Sequence, residues 1–291
     1  MAKARSLDKR RRSVQRIRKL TRTMELIATA QFRRAMDRAL DAAAYTDRLS
    51  SLVRDIAEAG WQRPHPLLES REDPKRTALL VLTGNQGMCG GYNSGVLRIG
   101  VQRYREAQDR FPEVELDVSG RKGIAALRFR GFRLNRTFTK FEDKPRFDEV
   151  RELAEDYLRE YLAGRLDRLD VVYTKFESLG RQWPAMETVL PLMPPTVEDE
   201  APRRETEYEF LPSARSILEE IVPMSFRVRL FKCFLDAAVS EQVARMVAMK
   251  AATENADQMS RILSMKYNRT RQSQITAELL EIVGGADALE H

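Results

Sequence analysis

Residues 224–283 read MSFRVRLFKCFLDAAVSEQVARMVAMKAATENADQMSRILSMKYNRTRQSQITAELLEIV, sixty positions without a proline or a glycine. Pro223 stands before them and Gly284-Gly285 after them, the residue types that open and close helices. At 1.5 Å per residue such a helix is ~90 Å long. Its first half, FKCFLDAAVSEQVARMVAMKAA, is apolar on most sides. From Thr253 onward Met259, Leu263, Thr270, Ala277 and Leu280 mark an amphipathic face. No globular domain hides a helix of that length, so it needs a partner of similar length.

The partner lies at the opposite end of the chain. Residues 3–58 also lack proline and glycine, and would span ~84 Å as a helix. A heptad started at Val14 gives one row of Val14, Thr21, Ala28, Ala35, Ala42, Leu49 and Ile56. A second row holds Ile17, Met24, Gln31, Arg38, Tyr45 and Leu52, with Leu20 and Ile27 widening the stripe. The middle of the seam is small (Ala28, Ala35, Ala42), which lets a second helix approach closely. Two matched helices at the chain ends predict an antiparallel coiled coil. A helical bundle covered by further helices is the plainer alternative.

Between the ends the period changes. TALLVLTG (77–84), ELDVSG (115–120), DVVYTKFES (170–178) and METVLPLM (186–193) read as strands. Residues 94–109, 121–131 and 147–163 read as helices. Alternating strands and helices predict a parallel or mixed sheet covered by helices. Residues 60–76 and the Pro-rich, acidic 195–207 read as loops. The expected organisation is an N-terminal helix over 1–59, an α/β domain over 77–210 and a C-terminal helix over 213–291.

The first strand runs into GNQGMCGGYNSG (84–95), the composition of a phosphate-holding turn. A Walker A loop requires a lysine, and none occurs from Gly84 to Gly91. The dinucleotide spacing GxGxxG is absent, and the second strand ends in Ser119-Gly120 rather than a ribose-binding acid. Backbone amides at a helix start could still hold an oxyanion. The structural reading is a tight strand-to-helix turn in which glycine permits close backbone approach.

Composition removes other chemistries. The only histidines are His65, in a Pro-flanked loop, and His291, the last residue, which leaves little for a zinc site or a Ser-His-Asp triad. Cys89 and Cys233 are far apart in unlike contexts, which suits a reducing compartment. No apolar run approaches the ~20 residues of a membrane span. Residues 1–30 lack a secretory apolar core. The net charge of +7 is concentrated: residues 1–22 hold ten cations and one acid, Asp8, for +9, so the remainder sums to −2. Such an arm fits a nucleic acid, an Arg-rich transit peptide or an acidic protein partner, as well as a solvated helix face. No aromatic precedes Phe32, so a base-stacking platform is missing.

Three stretches resemble one family. RRSVQRIRKLTRTMELIATAQFRRA (11–35) is similar to the N-terminal helix of the gamma subunit of rotary F-type ATP synthases. GMCGGYN (87–93) resembles that family's glycine turn, and EQVARMVAMKAATENADQMSRILSMKYNRTRQSQITAELLEIVGGADAL (241–289) its C-terminal helix. The resemblance implies a long antiparallel coiled coil of the terminal helices with an inserted Rossmann-like α/β domain. It implies a non-catalytic central rotor shaft, without cofactor or metal. The implied partners are the alpha and beta subunits, the epsilon subunit and the c ring, with proton or sodium flow driving rotation. Met24, Arg245, Arg271, Gln272, Thr276 and Glu278 match positions of partner contact or coupling. The basic arm would face acidic lever segments of the beta subunits. A bacterial member is expected, peripheral on the cytoplasmic face of the plasma membrane. A coiled-coil nucleic-acid-binding protein is the alternative. Two departures stand out: Asn85-Gln86 replaces the usual Asp-Arg, so a charge pair is lost, and Thr23 replaces a usual Ala.

Overall fold

The computed structural model of the chain describes residues 2–58, 65–69, 71, 74–141, 144–192 and 214–290. The side chains of Ala42, Tyr45, Leu52 and Ile56, the loop over 195–207, and residues 60–64, 70, 72 and 73 of the 60–76 loop lie outside the described residues. Two helices dominate, α1 (Ala2–Glu58) and α5 (Ala214–Glu290). Between them come β1 (Arg76–Leu82), α2 (Tyr92–Arg110), β2 (Glu113–Ser119), α3 (Arg121–Phe129), β3 (Thr137–Phe138), α4 (Phe147–Leu162), β4 (Arg168–Ser178) and β5 (Arg181–Leu190). The terminal helices and the inserted mixed sheet are those expected. Contacts divide the chain into two units, Met1–Ala28 with Arg245–His291, and Thr29–Ala244.

The larger unit is built on a five-stranded sheet of order β3-β2-β1-β4-β5. β1 to β4 run parallel, and β5 folds back antiparallel on β4. Alternation along the strands sorts the core into two layers. Ala78, Leu80 and Leu82 of β1 and Leu169, Val171 and Tyr173 of β4 face α4 and the first half of α5. Leu79, Val81, Leu116, Val118 and Val172 face α2 and α3. A strand buried on both faces reads as an unbroken apolar run, which is why ALLVL shows no polar alternation. β5 begins at Arg181, five residues earlier than expected, and carries Pro184 inside it. An edge strand tolerates that proline because its outward N–H has no ladder partner to lose.

Helix α5 covers the segment expected over 213–291 but runs through Pro223, which the local signals read as its start. An interior proline costs about 3 kcal/mol. Val222 and Phe226 are fully buried beside it, and burying each contributes roughly 1.5–3 kcal/mol, which offsets the loss. The helix also continues past Gly284-Gly285 to Glu290, since glycine weakens a helix without obliging it to end.

In the smaller unit α1 and α5 pair antiparallel. Thr253 Oγ1 donates to Thr21 Oγ1 at 2.8 Å, Arg18 pairs with Asp257, and the Arg11 guanidinium lies 5.0 Å over the Tyr267 ring. As α1 numbers fall, α5 numbers rise. Val14, Thr21 and Ala28 are buried, as expected for the first heptad row. The second row is not: Ile17 is 52% exposed, and Leu20 and Ile27 are exposed beside it. On α5 the buried line is Met249, Thr253 and Ala256, whereas Met259, Ala277 and Leu280 point outward. Small residues bring the axes together, so the contact is one row wide rather than two. In the larger unit the same rows continue as a separate cluster, with Ala35, Val239 and Val243 buried and Phe32, Met36 and Ala39 flanking.

Where α5 crosses the β4–β5 hairpin, charge is half-buried. The Tyr173 hydroxyl donates to Glu187 Oε2 at 2.6 Å and Arg229 Nε donates to Oε1 at 2.7 Å. Burial raises the Glu187 carboxyl, but Arg229 and Tyr173 outweigh it and hold it below the usual range. Asp236, one helical turn from Lys232, is pushed up to about 7, first by burial and further by Glu187, with Lys232 and Lys175 opposing. Between pH 4 and pH 7 the unfolded chain ionises this carboxyl while the folded chain keeps it protonated. Stability therefore falls across that window and is flat above it. Asp236→Asn is expected to match the parent near pH 4 and to exceed it at pH 8 by up to about 4 kcal/mol. Urea denaturation followed by intrinsic fluorescence at the two pH values measures the difference. A variant no more stable than the parent at pH 8 contradicts the assignment.

Candidate functional site

The glycine turn leaves β1 at the carboxyl edge of the sheet, beside the point where strand order reverses between β1 and β4. Open α/β sheets bind their ligands there. The polar groups of this crevice are already engaged. The first three amides of α3, where an anion would sit, meet the chain's own oxygens. Arg121 N–H donates to Asn85 Oδ1 at 2.9 Å, Lys122 N–H to the Gly84 carbonyl at 3.2 Å, and Gly123 N–H to Thr83 Oγ1 at 3.0 Å. Thr83 Oγ1 in turn donates to the Ser119 carbonyl at 2.7 Å. Gly84 N–H is taken by Asn93 Oδ1 at 2.8 Å. Gly120 adopts φ +100°, and a Cβ there would lie 2.0 Å from the Thr83 carbonyl oxygen, so the approach itself demands glycine.

Helix α5 fills the rest of the crevice. The Tyr92 hydroxyl, at the start of α2, donates to the Ala237 carbonyl at 3.0 Å. Ser240 Oγ donates to the Thr174 carbonyl of β4 at 3.2 Å. The Glu241 carboxylate lies against Gly84 so closely that a Cβ on residue 84 would sit 2.6 Å from Oε1. What remains is a space of about 30 Å³ among Leu82, Thr83, Asn85, Phe234 and Ala238, room for one water and no nucleotide. Tyr92, Ser240 and Glu241 escape sequence reasoning. The one signal for them is that no lysine accompanies the glycines, so the turn serves something other than phosphate.

Asn85 explains one departure noted in the sequence. Its Nδ2 donates to the Thr139 and Phe141 carbonyls at 3.2 and 3.3 Å while its Oδ1 caps α3. The amide acts as a clasp between the first turn and the segment after β3. An aspartate would supply the cap and lose both donations.

The buried polar cluster nearby is also internal. Asp117, fully buried, accepts from the Tyr157 hydroxyl at 2.7 Å, from Arg136 Nε at 2.9 Å and from the Arg136 backbone at 2.9 Å. With a fourth bond from Asn135 Nδ2 at 3.3 Å every acceptor direction is used, so Asp117 joins β2, α4 and the entry to β3 and leaves nothing for substrate. Cys89 and Cys233 are both buried and outside any disulfide, and burial holds the Cys233 thiol well above its ordinary range. Among the described residues no group of three His, Cys, Asp or Glu is placed to hold a metal. None of the described helices is long and apolar enough to cross a membrane.

The paired helices, by contrast, carry exposed charge and apolar surface. Asp8 pairs with Arg11 and Arg12, Arg22 with Glu25, and Arg18 with Asp257. Arg10, Arg16 and Lys19 stay exposed and make no ion pair among the described residues. Four of the six sequence-derived contact residues sit together near the far end of α5. Arg271, Gln272, Thr276 and Glu278 are all exposed, and Thr276 Oγ1 donates back to the Gln272 carbonyl at 3.0 Å. The pairing register, 21 with 253 and 11 with 267, brings the first residues of α1 level with about residue 276. Beyond that point no described residue of α1 stands opposite α5. Leu279, Leu280, Ile282 and Val283 are more than half exposed there. Met24 is half-buried and distant in sequence from that end, and Arg245 is buried, so the six do not form one cluster.

Residues 3–289 match the family described as ATP synthase. The chain is 55% identical to the ATP synthase gamma chain of Rhodopirellula baltica, both chains being covered in full. It is 38% identical to that of Saccharopolyspora erythraea, over 99% of this chain and 98% of the relative. Its fold is similar to a chain of the Euglena gracilis mitochondrial ATP synthase OSCP/F1/c-ring structure in rotational state 3. The TM-score is 0.66 at 19% identity, covering 99% of this chain and 95% of the other. A chain of the rotor of the same enzyme in rotational state 1 gives a TM-score of 0.60 at 15% identity, covering 94% and 99%.

The clasp gives a prediction against the resemblance. Asn85→Asp gains about 0.3–1 kcal/mol from a negative cap at the start of α3. It loses two donations and sets a carboxylate against two carbonyls, about 1–3 kcal/mol. The net is destabilising by roughly 1 kcal/mol, or about 2–4 °C in Tm. Differential scanning calorimetry decides it, and an unchanged or raised Tm would show that the amide is dispensable.

Proposed function

The chain belongs to the ATP synthase gamma-chain family, and from that premise we propose how its surfaces serve the central rotor shaft. The shaft couples ion-driven rotation of the membrane c ring to the conformational cycle of the catalytic beta subunits. It is a non-catalytic subunit of the complex. Its partners are the alpha and beta subunits, epsilon and the c ring. The ion is a proton in our reading, with sodium as the other possibility. The location is the cytoplasmic face of a bacterial plasma membrane, held there peripherally. Residues 1–59 and 213–291 form the shaft helices and 77–210 the foot.

One observation carries the division of labour. The two terminal helices bury a single narrow row against each other, and near its end α5 exposes Leu279, Leu280, Ile282 and Val283 with no described α1 residue opposite them. Exposed apolar surface of this kind marks a protein contact. A shaft turning inside a sleeve needs such a surface, wide enough to be guided and too shallow to lock. Arg271, Gln272, Thr276 and Glu278 give this end its polar contacts with the surrounding subunits. Met24 and the unpaired cations of α1 face acidic segments of the beta subunits. Surface ion pairs contribute about 0–1 kcal/mol each, so they exchange as the shaft turns. Arg245, being buried, acts through the position of α5 rather than by touching a partner.

Replacing Arg271 and Gln272 together by Leu tests the contact. Both side chains are exposed, so the helix content and Tm of the isolated chain should be unchanged. The assembled complex is expected to hold the chain less firmly or to pump fewer ions per ATP hydrolysed. Hydrolysis and pumping equal to the parent's, in membranes with equal complex content, would remove these two residues from the interface.

A further inference from the structure

The glycine turn that resembles a nucleotide loop holds a helix instead, and the geometry of that hold assigns it a mechanical task. We propose that the seat of α5 between Ala237 and Glu241 is the joint through which the sheet body turns the shaft. This rests on the rotor reading, in which drive enters through the foot.

Turning a helix by its side requires contacts that resist rotation about its own axis. Apolar packing resists by shape alone, while a directional hydrogen bond or a wedged charged group off the axis resists over a lever arm of about 5 Å. Between Val222 and Phe234 the grip on α5 is mostly apolar, with two part-exposed lateral ties, Arg229–Glu187 to β5 and Arg227–Glu155 to α4. Within the next two turns three separate elements take hold of it. Tyr92 of α2 bonds the Ala237 carbonyl, the Thr174 carbonyl of β4 accepts from Ser240, and the turn after β1 presses Gly84 on Glu241. Positions 237, 240 and 241 are spaced i, i+3, i+4 and share one face of the helix.

The turn itself cannot give. Gly84 is fixed on both sides, its N–H to Asn93 and its carbonyl from Lys122 N–H. The Glu241 side chain, 6% exposed, has little room to retreat. Torque on the sheet therefore reaches the helix through rigid backbone. The motif residues Gly84, Tyr92 and Asn93 are thus accounted for together: two touch or bond α5 and the third locks the turn that does so. Tyr92, Ser240 and Glu241 are positioning residues, acting on the distant beta subunits through the orientation of α5.

The test uses the chain assembled with its alpha and beta subunits and fixed to a surface. A bead is attached through Arg103→Cys on the exposed face of α2. The native thiols, Cys89 and Cys233, are buried and do not compete for the label. Angular fluctuation of the bead in a stalled complex gives the torsional stiffness between sheet body and sleeve. Gly84→Ala combined with Tyr92→Phe is expected to lower that stiffness roughly twofold or more, two of the three ties being lost or displaced. Bulk ATP hydrolysis without a bead should stay at the parent rate. Stiffness equal to the parent's overturns the joint. If the glycine variant does not assemble, Tyr92→Phe with Ser240→Ala, which add no volume, is measured in its place, and there too unchanged stiffness overturns the proposal while a softer shaft supports it. A parent bead that never rotates on ATP counts against the rotor reading instead, so the two failures are distinguishable.

Discussion

Helix α5 lies in the crevice at the carboxyl edge of the sheet, and much of the larger unit follows from that seat. A sheet of order β3-β2-β1-β4-β5 opens a cleft beside β1 where related architectures take a small molecule. Here the cleft is closed by Tyr92, Ser240 and Glu241, and by amides of α3 that spend their hydrogen bonds on Thr83, Gly84 and Asn85. The chain uses an enzyme-like scaffold as a clamp. The same packing buries Val222, Phe226, Leu230 and Phe234 against α4 and the strands. That burial keeps α5 helical through Pro223.

The paired stretches obey a different constraint. With alanine and threonine along the seam, α1 and α5 come close and bury one row, leaving Ile17, Leu20, Ile27, Met259 and Ile262 at the surface. An ordinary domain would cover these residues with more of its own chain. In the rotor role proposed above they give a guided surface, with cations beside them whose ion pairs are weak enough to change partners. Stability and function are thus divided along the helices: deep, specific packing where α5 meets the sheet, and shallow, exposed contact where the two ends pair.

Much of this was legible in the sequence, and for definite reasons. The absence of proline and glycine over both chain ends predicts long helices, and their matched lengths predict that they pair. ALLVL predicts a strand covered on both sides because no polar residue interrupts it. Other features were hidden. A heptad pattern gives apolar periodicity but not the width of the contact, so Ile17 and Leu20 read as seam and lie outside it. Pro223 and Gly284 read as boundaries because local propensity is visible while the burial around Val222 and Phe226 is not. Of the site, the exposed group Arg271, Gln272, Thr276 and Glu278 was reached through resemblance to a family rather than through any chemistry in those residues. The grip on α5 joins residues some 150 positions apart (Tyr92 with Ala237), and no local pattern links them.

The filled crevice is tested most directly by titrating the purified chain with ATP in a calorimeter. With α5 seated as described the crevice has no space for an adenine nucleotide, and the first three amides of α3 are taken by the chain's own oxygens, so no saturable heat is expected up to millimolar ligand. A one-to-one isotherm of micromolar affinity would contradict it, because the helix would then have to leave the cleft that the whole sheet is built to close upon it.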